Sequence, residues 1–113
     1  MTRGEWGEAQ AADFLIQEGF RILERNFRTR FGELDLVTEK DGFLVFVEVK
    51  TRKNSRFAAA REAVTLKKQE RLRTTAELWL QQHETALQPR FDVVEVYGEP
   101  GGETQILHLE NAF

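Results

Sequence analysis

Apolar positions recur along this chain with two spacings, a helical one near 3.6 residues and a strand one of two. Thr2-Arg3-Gly4-Glu5 has the spacing of a capping box. Behind it Ala9, Ala12, Leu15 and Ile16 form one stripe, which predicts a helix to about Gly19, a natural stop. Phe20 to Phe27 then reads as a strand, with Phe20 and Ile22 alternating against polar neighbours. Gly32 breaks the chain, and Glu33 to Glu39 alternates strictly. Leu34, Leu36 and Thr38 fall on one face of that strand, Asp35 and Val37 on the other. Asp41-Gly42 suits the positive φ angles of a tight hairpin turn. Phe43 to Lys50 is apolar on both faces until Glu48, the pattern of a central strand covered on two sides. Asn54 to Ala60 reads as loop. Thr65 caps a long helix to about His83, with Leu72, Ala76, Trp79 and Leu80 inward, and Pro89 ends that region. Arg90–Tyr97 and Gln105–Leu109 are two further strands. The order α-β-β-β-α-β-β predicts one α/β domain over residues 1–113, a mixed sheet flanked by helices.

Composition narrows the chemistry. The 113 residues include no cysteine, so disulfides, thiolate metal sites and thiol nucleophiles are excluded. His83 and His108 lie far apart, which argues against a histidine-built metal site. No apolar run approaches the ~18 residues of a membrane span, and the N-terminus is polar at once. These features lead to the expectation of a cytoplasmic protein with no membrane partner.

Charge matters through its distribution. The whole chain carries −3. Between Lys50 and Arg73, however, nine basic residues face two acids, for a net +7. From Thr74 to the end one arginine faces seven acids, for −6. A basic face on an otherwise acidic body suits nucleic acid, and a solvated helix face accounts for the same charges. The candidate contacts are Arg52, Lys53, Arg56, Lys67, Lys68, Gln69 and Arg71.

The hairpin supplies a geometric argument. With Asp41-Gly42 as a two-residue turn, Lys40 lies opposite Phe43 and Val37 opposite Phe46. Asp35 then faces Glu48, and Glu33 faces Lys50, all on one side of the sheet. Opposed residues have Cβ atoms only about 4.5–5.5 Å apart, so two carboxylates meet among Val, Leu and Phe. A shared proton, the nearby Lys50 or a bound divalent ion would relieve the repulsion. Carboxylate oxygens without histidine or cysteine suit a hard ion such as Mg²⁺ or Mn²⁺. A structural network in which Lys50 neutralises one acid fits the same residues.

Glu33-Leu-Asp35-Leu-Val and Val47-Glu-Val-Lys50 resemble the split Asp…Glu-x-Lys signature of the PD-(D/E)XK nucleases, with Leu34 where the eponymous proline would stand. More closely, the chain resembles the YraN-like family of small bacterial proteins. That likeness runs through Gly4-x-x-Gly7-Glu8, Arg25-Asn-Phe-Arg28, Phe31-Gly-Glu-Leu-Asp-Leu-Val37, Phe46-Val-Glu-Val-Lys-Thr-Arg52, Glu62-Ala-Val64, Lys68-Gln69, Arg90-Phe-Asp92 and Asn111-Ala-Phe113. Phe57-Ala-Ala-Ala60 departs from it, where related sequences carry Gly and Pro. The motif layout is similar to that of archaeal Holliday-junction resolvases.

The resemblance implies a restriction-endonuclease-like three-layer sandwich and phosphodiester hydrolysis, with DNA as the nucleic acid. It implies that Asp35, Glu48 and the Val49 carbonyl hold Mg²⁺ or Mn²⁺, with Glu8 completing the site directly or through water. Lys50 would position the attacking water or stabilise charge developing on the phosphate. A resolvase would need two such sites, hence a homodimer. Two rival functions remain at this point: a nuclease-fold module that binds nucleic acid without cutting it, and a protein–protein interaction domain. Among the remaining residues, Trp6 and Trp79 read as packing, His108 as a strand-surface residue, and Phe113 as a side chain docked on the body.

Overall fold

The computed structural model describes residues 1–53 and 64–113. Its elements are α1 (Arg3–Gln17), β1 (Arg21–Thr29), β2 (Gly32–Lys40), β3 (Phe43–Arg52), α2 (Leu66–Gln82), β4 (Gln88–Gly98) and β5 (Thr104–Leu109). This is the order expected from periodicity. The loop expected at 54–60, with Arg56 in it, lies outside the described residues.

Local signals act where the sequence carries them. Thr2 and Glu5 close the capping box of α1: the Glu5 amide donates to Thr2 Oγ1 at 3.1 Å and the Thr2 amide to Glu5 Oε1 at 2.6 Å. Asp41 and Gly42 both take positive φ, 50° and 85°, which makes the tight turn between β2 and β3. Lys40 consequently pairs with Phe43, and the register runs through Val37↔Phe46 to Leu36↔Val47. Thr65 caps α2, its Oγ1 accepting from the Lys68 amide at 3.1 Å. Pro89, expected to lie before β4, is its second residue and pairs with Leu44.

The strands form one sheet in the order β1-β2-β3-β4-β5. β3 and β4 are parallel and the other neighbours antiparallel. A parallel pair needs a crossover, and α2 lies within it. β3 is buried on both faces. Val45 and Val47 pack with Ala11, Ala12 and Leu15 of α1, while Leu44 and Phe46 pack with Leu72, Ala76 and Trp79 of α2. The result is a three-layer α/β sandwich, helix, mixed sheet, helix. Trp6 and Trp79 are both core residues, at 8% and 4% exposure. No helix among the described residues is long and apolar enough to cross a membrane.

Strict alternation along β2 fails at one place, and that place matters. Leu36 packs on the α1 side, but Leu34 joins Val37 on the α2 side instead of sharing a face with Leu36. Across the strand pair, Arg25 registers with Leu36 and Phe27 with Leu34, which leaves Asn26 level with Asp35. Asn26 holds a left-handed backbone, φ 54°, a conformation asparagine adopts more readily than most residues. Alternation requires uninterrupted extended backbone, and β1 lacks it at this level. The irregularity therefore sits beside the acidic residues.

Candidate active site

A close helix–strand contact brings the first acid in. A Cβ on Gly7 would lie 1.9 Å from Thr51 Oγ1, so only glycine lets α1 rest this closely on β3. The next residue, Glu8, brings its carboxylate beside Asp35 and Asn26. One carboxylate oxygen each from Glu8, Glu33 and Asp35 lies within 4.8 Å of the others.

Glu48 completes the group from β3. The ladder between β2 and β3 ends at Leu36↔Val47, one step short of the expected Asp35–Glu48 pair. The two carboxyls nevertheless act on each other directly, and both line one cleft. Past the end of the ladder, the Val49 amide donates to Asp35 Oδ2 at 2.8 Å. Asp35 and Glu48 are 8% and 7% exposed. Burial, reinforced by Glu48, pushes the Asp35 carboxyl up to about 9, against the opposing pull of the Val49 amide. Glu8 is raised as well, by burial first and then by Glu33.

Cations border this acidic group. A cleft of about 250 Å³ is lined by Glu33, Asp35, Glu48, Lys68 and Arg71. Lys68, from the first turn of α2, forms an ion pair with Glu48. Arg28 forms one with Glu33, and the β2–β3 ladder stops at Leu36↔Val47, short of the expected opposition of Glu33 and Lys50. Lys50 lies two residues beyond Glu48, on the same side of β3, and registers with Glu95 of β4. The structure thus brings Glu8, Asp35 and Glu48 together, and the cation touching Glu48 is Lys68.

The other basic candidates divide. Arg52 lies 3.6 Å from the buried Glu95. Gln69 Nε2 donates to the Val64 carbonyl at 2.9 Å, which fixes the entry to α2. Lys53 and Lys67 are exposed, and Arg71 stands at the mouth of the cleft. Glu33 also belongs to the acidic group, where the residue pattern sets it only against Lys50. The available signal was its place two residues from Asp35, which Leu34's change of face brings into reach.

His108 is not the surface residue expected. Its ring sits against Phe14 and Phe20, centroids 6.0 and 5.6 Å away, and Nε2 lies 2.7 Å from Asp92 Oδ2. Asp92 is fully buried and binds Arg90 in a two-point fork as well as the Asn111 amide. The alternation of β5 reads correctly, but the face it assigns to His108 is covered by α1. Phe113 does dock, stacking on Phe91 at 5.0 Å.

Comparison with known proteins places this geometry in a family. The profile of the Uncharacterised protein family UPF0102 matches residues 7–96. A UPF0102 protein of Syntrophomonas wolfei is 50% identical over 97% of this chain and 96% of its own length. Another, from Symbiobacterium thermophilum, is 49% identical over 97% of this chain and 94% of its own. A third, from Rhodococcus opacus, is 42% identical over the full chain and 97% of its own length. Among solved structures, Pyrococcus furiosus SfsA in complex with Ca²⁺ aligns at 18% identity with a TM-score of 0.42, over 96% of this chain and 62% of that one.

Proposed function

We propose that this chain, which belongs to the uncharacterised protein family UPF0102, is a divalent-metal-dependent nuclease that hydrolyses phosphodiester bonds in DNA. The observation that carries this reading is the convergence of carboxylates. Oxygens of Glu8, Glu33 and Asp35 lie within 4.8 Å of one another, and Glu48 lines the same cleft as Asp35 with lysine and arginine beside it.

The donor set fits Mg²⁺ or Mn²⁺. Every ligand on offer is an oxygen, the preference of a hard cation, and neither imidazole nor thiolate competes. Glu8, Asp35 and Glu48 would hold the ion with the Val49 carbonyl, and Glu33 adds a further carboxylate. A bound divalent ion supplies a Lewis acid for the phosphate and a more acidic water.

The chain's own groups do the rest. The Val49 amide orients Asp35. Arg71 and Lys68 offer cationic donors to the phosphate oxygens from the α2 side of the cleft. Lys50, two residues beyond Glu48 on the same side of β3, would stabilise charge developing on the phosphate.

The test is a cleavage screen over linear, single-stranded and branched DNA and over RNA, with Mg²⁺ or Mn²⁺. Cleavage by the wild type that Glu48→Gln abolishes supports the proposal. Binding without cleavage in every condition would leave a nucleic-acid-binding accessory module instead.

A further inference from the structure

Beside the carboxylate cleft runs a second groove of about 380 Å³, lined by Arg30, Phe31, Lys67, Glu70, Arg71 and Thr74. We propose that it is a subsite for an unpaired base of single-stranded DNA, stacked on Phe31 with its flanking phosphates on Arg30, Lys67 and Arg71. The inference rests on the nuclease reading and deepens it, because it names the strand form that the site takes.

A single exposed apolar residue is ordinary. What sets Phe31 apart is how it is held and what surrounds it. It occupies the turn between β1 and β2 and is 43% exposed. Thr29 secures both sides of that turn: its Oγ1 accepts from the Phe31 amide at 3.0 Å and donates to the Gly32 carbonyl at 3.2 Å. Gly32 in turn sits directly on α2, where a Cβ would lie 3.1 Å from Thr75 Oγ1. The ring is therefore fixed beside the first two turns of α2. Arg30 already covers part of it, its Cζ 4.8 Å from the ring centroid.

Three cations and one acid line the groove, and an aromatic ring among cations is the surface on which single strands bind. A base inside a duplex has both faces covered by its neighbours, so only an unpaired base offers a face to Phe31. Arg71 lines both the groove and the carboxylate cleft, and Gly32, which follows Phe31, lines the cleft. A strand seated here would continue into the acidic site.

The experiment uses a single-stranded DNA oligonucleotide carrying 2-aminopurine, and a blunt duplex, both in chelator so that nothing is cut. Wild type should quench the 2-aminopurine. Phe31→Ala should lose the quench and bind the single strand about tenfold or more weakly, while Phe31→Trp keeps both. Duplex affinity should stay within about twofold across the three proteins. Equal single-strand binding by wild type and Phe31→Ala, beside metal-dependent cleavage by the wild type, would overturn this subsite alone. An equal loss on duplex and single strand would overturn it too. A wild type that binds neither DNA overturns the subsite and the nuclease reading together.

Discussion

The Val49 amide donates to Asp35 Oδ2 at 2.8 Å, beyond the last pair joining β2 to β3. A side chain thus takes over where the sheet ladder stops. The bond fixes the direction of a carboxyl whose pKa burial and Glu48 push up to about 9 even against its pull. It also ties the separation of the two strands to the chemistry between them.

Stability should depend on pH through Asp35. Its pKa is pushed from 3.8 up to about 9 by burial and by Glu48. A pKa higher in the folded state means that the contribution is fully present below the unfolded value and is lost as pH rises through the folded one. In chelator, wild type should therefore lose stability between about pH 4 and about pH 9 relative to Asp35→Asn. The asparagine still offers an oxygen to Val49, so the variant should melt higher at pH 8. Mn²⁺ at a hundredfold excess over Kd should add about 2.7 kcal/mol to wild type, roughly 10–20 °C, and leave the variant unmoved. A variant that melts below wild type in chelator at pH 8 would make the acids structural partners of their cations.

Lys68 should act in two opposite ways. It is ion-paired to Glu48, so it competes with any divalent cation for that carboxylate. Lys68→Met removes a positive charge from the cleft, and Mn²⁺ should bind about tenfold more tightly, read from the metal concentration at half-maximal thermal shift. Cleavage should nevertheless fall by at least about tenfold, because a phosphate contact is lost. Tighter metal binding with undiminished cleavage would remove Lys68 from the substrate side.

Most of the fold is legible in the sequence because its signals are local. A capping box, an Asp-Gly turn and a doubly apolar strand each state their structure within a few residues. The acidic group is legible in part: counting back from Asp41-Gly42 correctly brings Asp35 to Glu48. The count assumes an unbroken ladder, and the ladder between β2 and β3 stops at Leu36↔Val47. Leu34 packs on the α2 side, Glu33 joins Glu8, and Lys68 rather than Lys50 is ion-paired to Glu48. Lys68 arrives from α2, an element that counting along the β2–β3 hairpin does not place. His108 shows a related limit, since alternation tells which side a residue faces but not what covers that side.

Salt should report how many cations touch DNA. Lys67 and Arg71 border the second groove, and Arg71 borders the carboxylate cleft as well. Each phosphate contact contributes about −0.9 to the slope of log affinity against log salt on duplex DNA. Lys67→Ala combined with Arg71→Ala should flatten the slope by up to about 1.8 and weaken binding to all sequences alike. An unchanged slope would place the DNA on another face.

Asp92 tests the half of the molecule away from the site. It is fully buried on the side of β4 that faces α1, and it accepts from Arg90 at 2.9 and 3.0 Å, from His108 at 2.7 Å and from the Asn111 amide at 3.0 Å. Burial alone would raise its pKa, but those hydrogen bonds together outweigh burial and hold it below the ordinary range. A pKa lowered by folding contributes stability above the unfolded value, near 3.8, and loses it as pH falls through the folded value. Asp92→Asn leaves the Arg90 guanidinium facing an amide, so it should cost about 3 kcal/mol at neutral pH, roughly 10–20 °C of melting temperature. The deficit should begin to shrink as pH falls below 3.8 and continue to do so down to the lower folded value, where wild type loses its own carboxylate. The carboxylate cleft is built from other residues, so duplex binding at 20 °C, well below the variant's expected melting point, should match wild type. Melting curves from pH 2 to pH 7 on both proteins decide the matter. A constant deficit across that range would mean that Asp92 acts through packing and not through its charge.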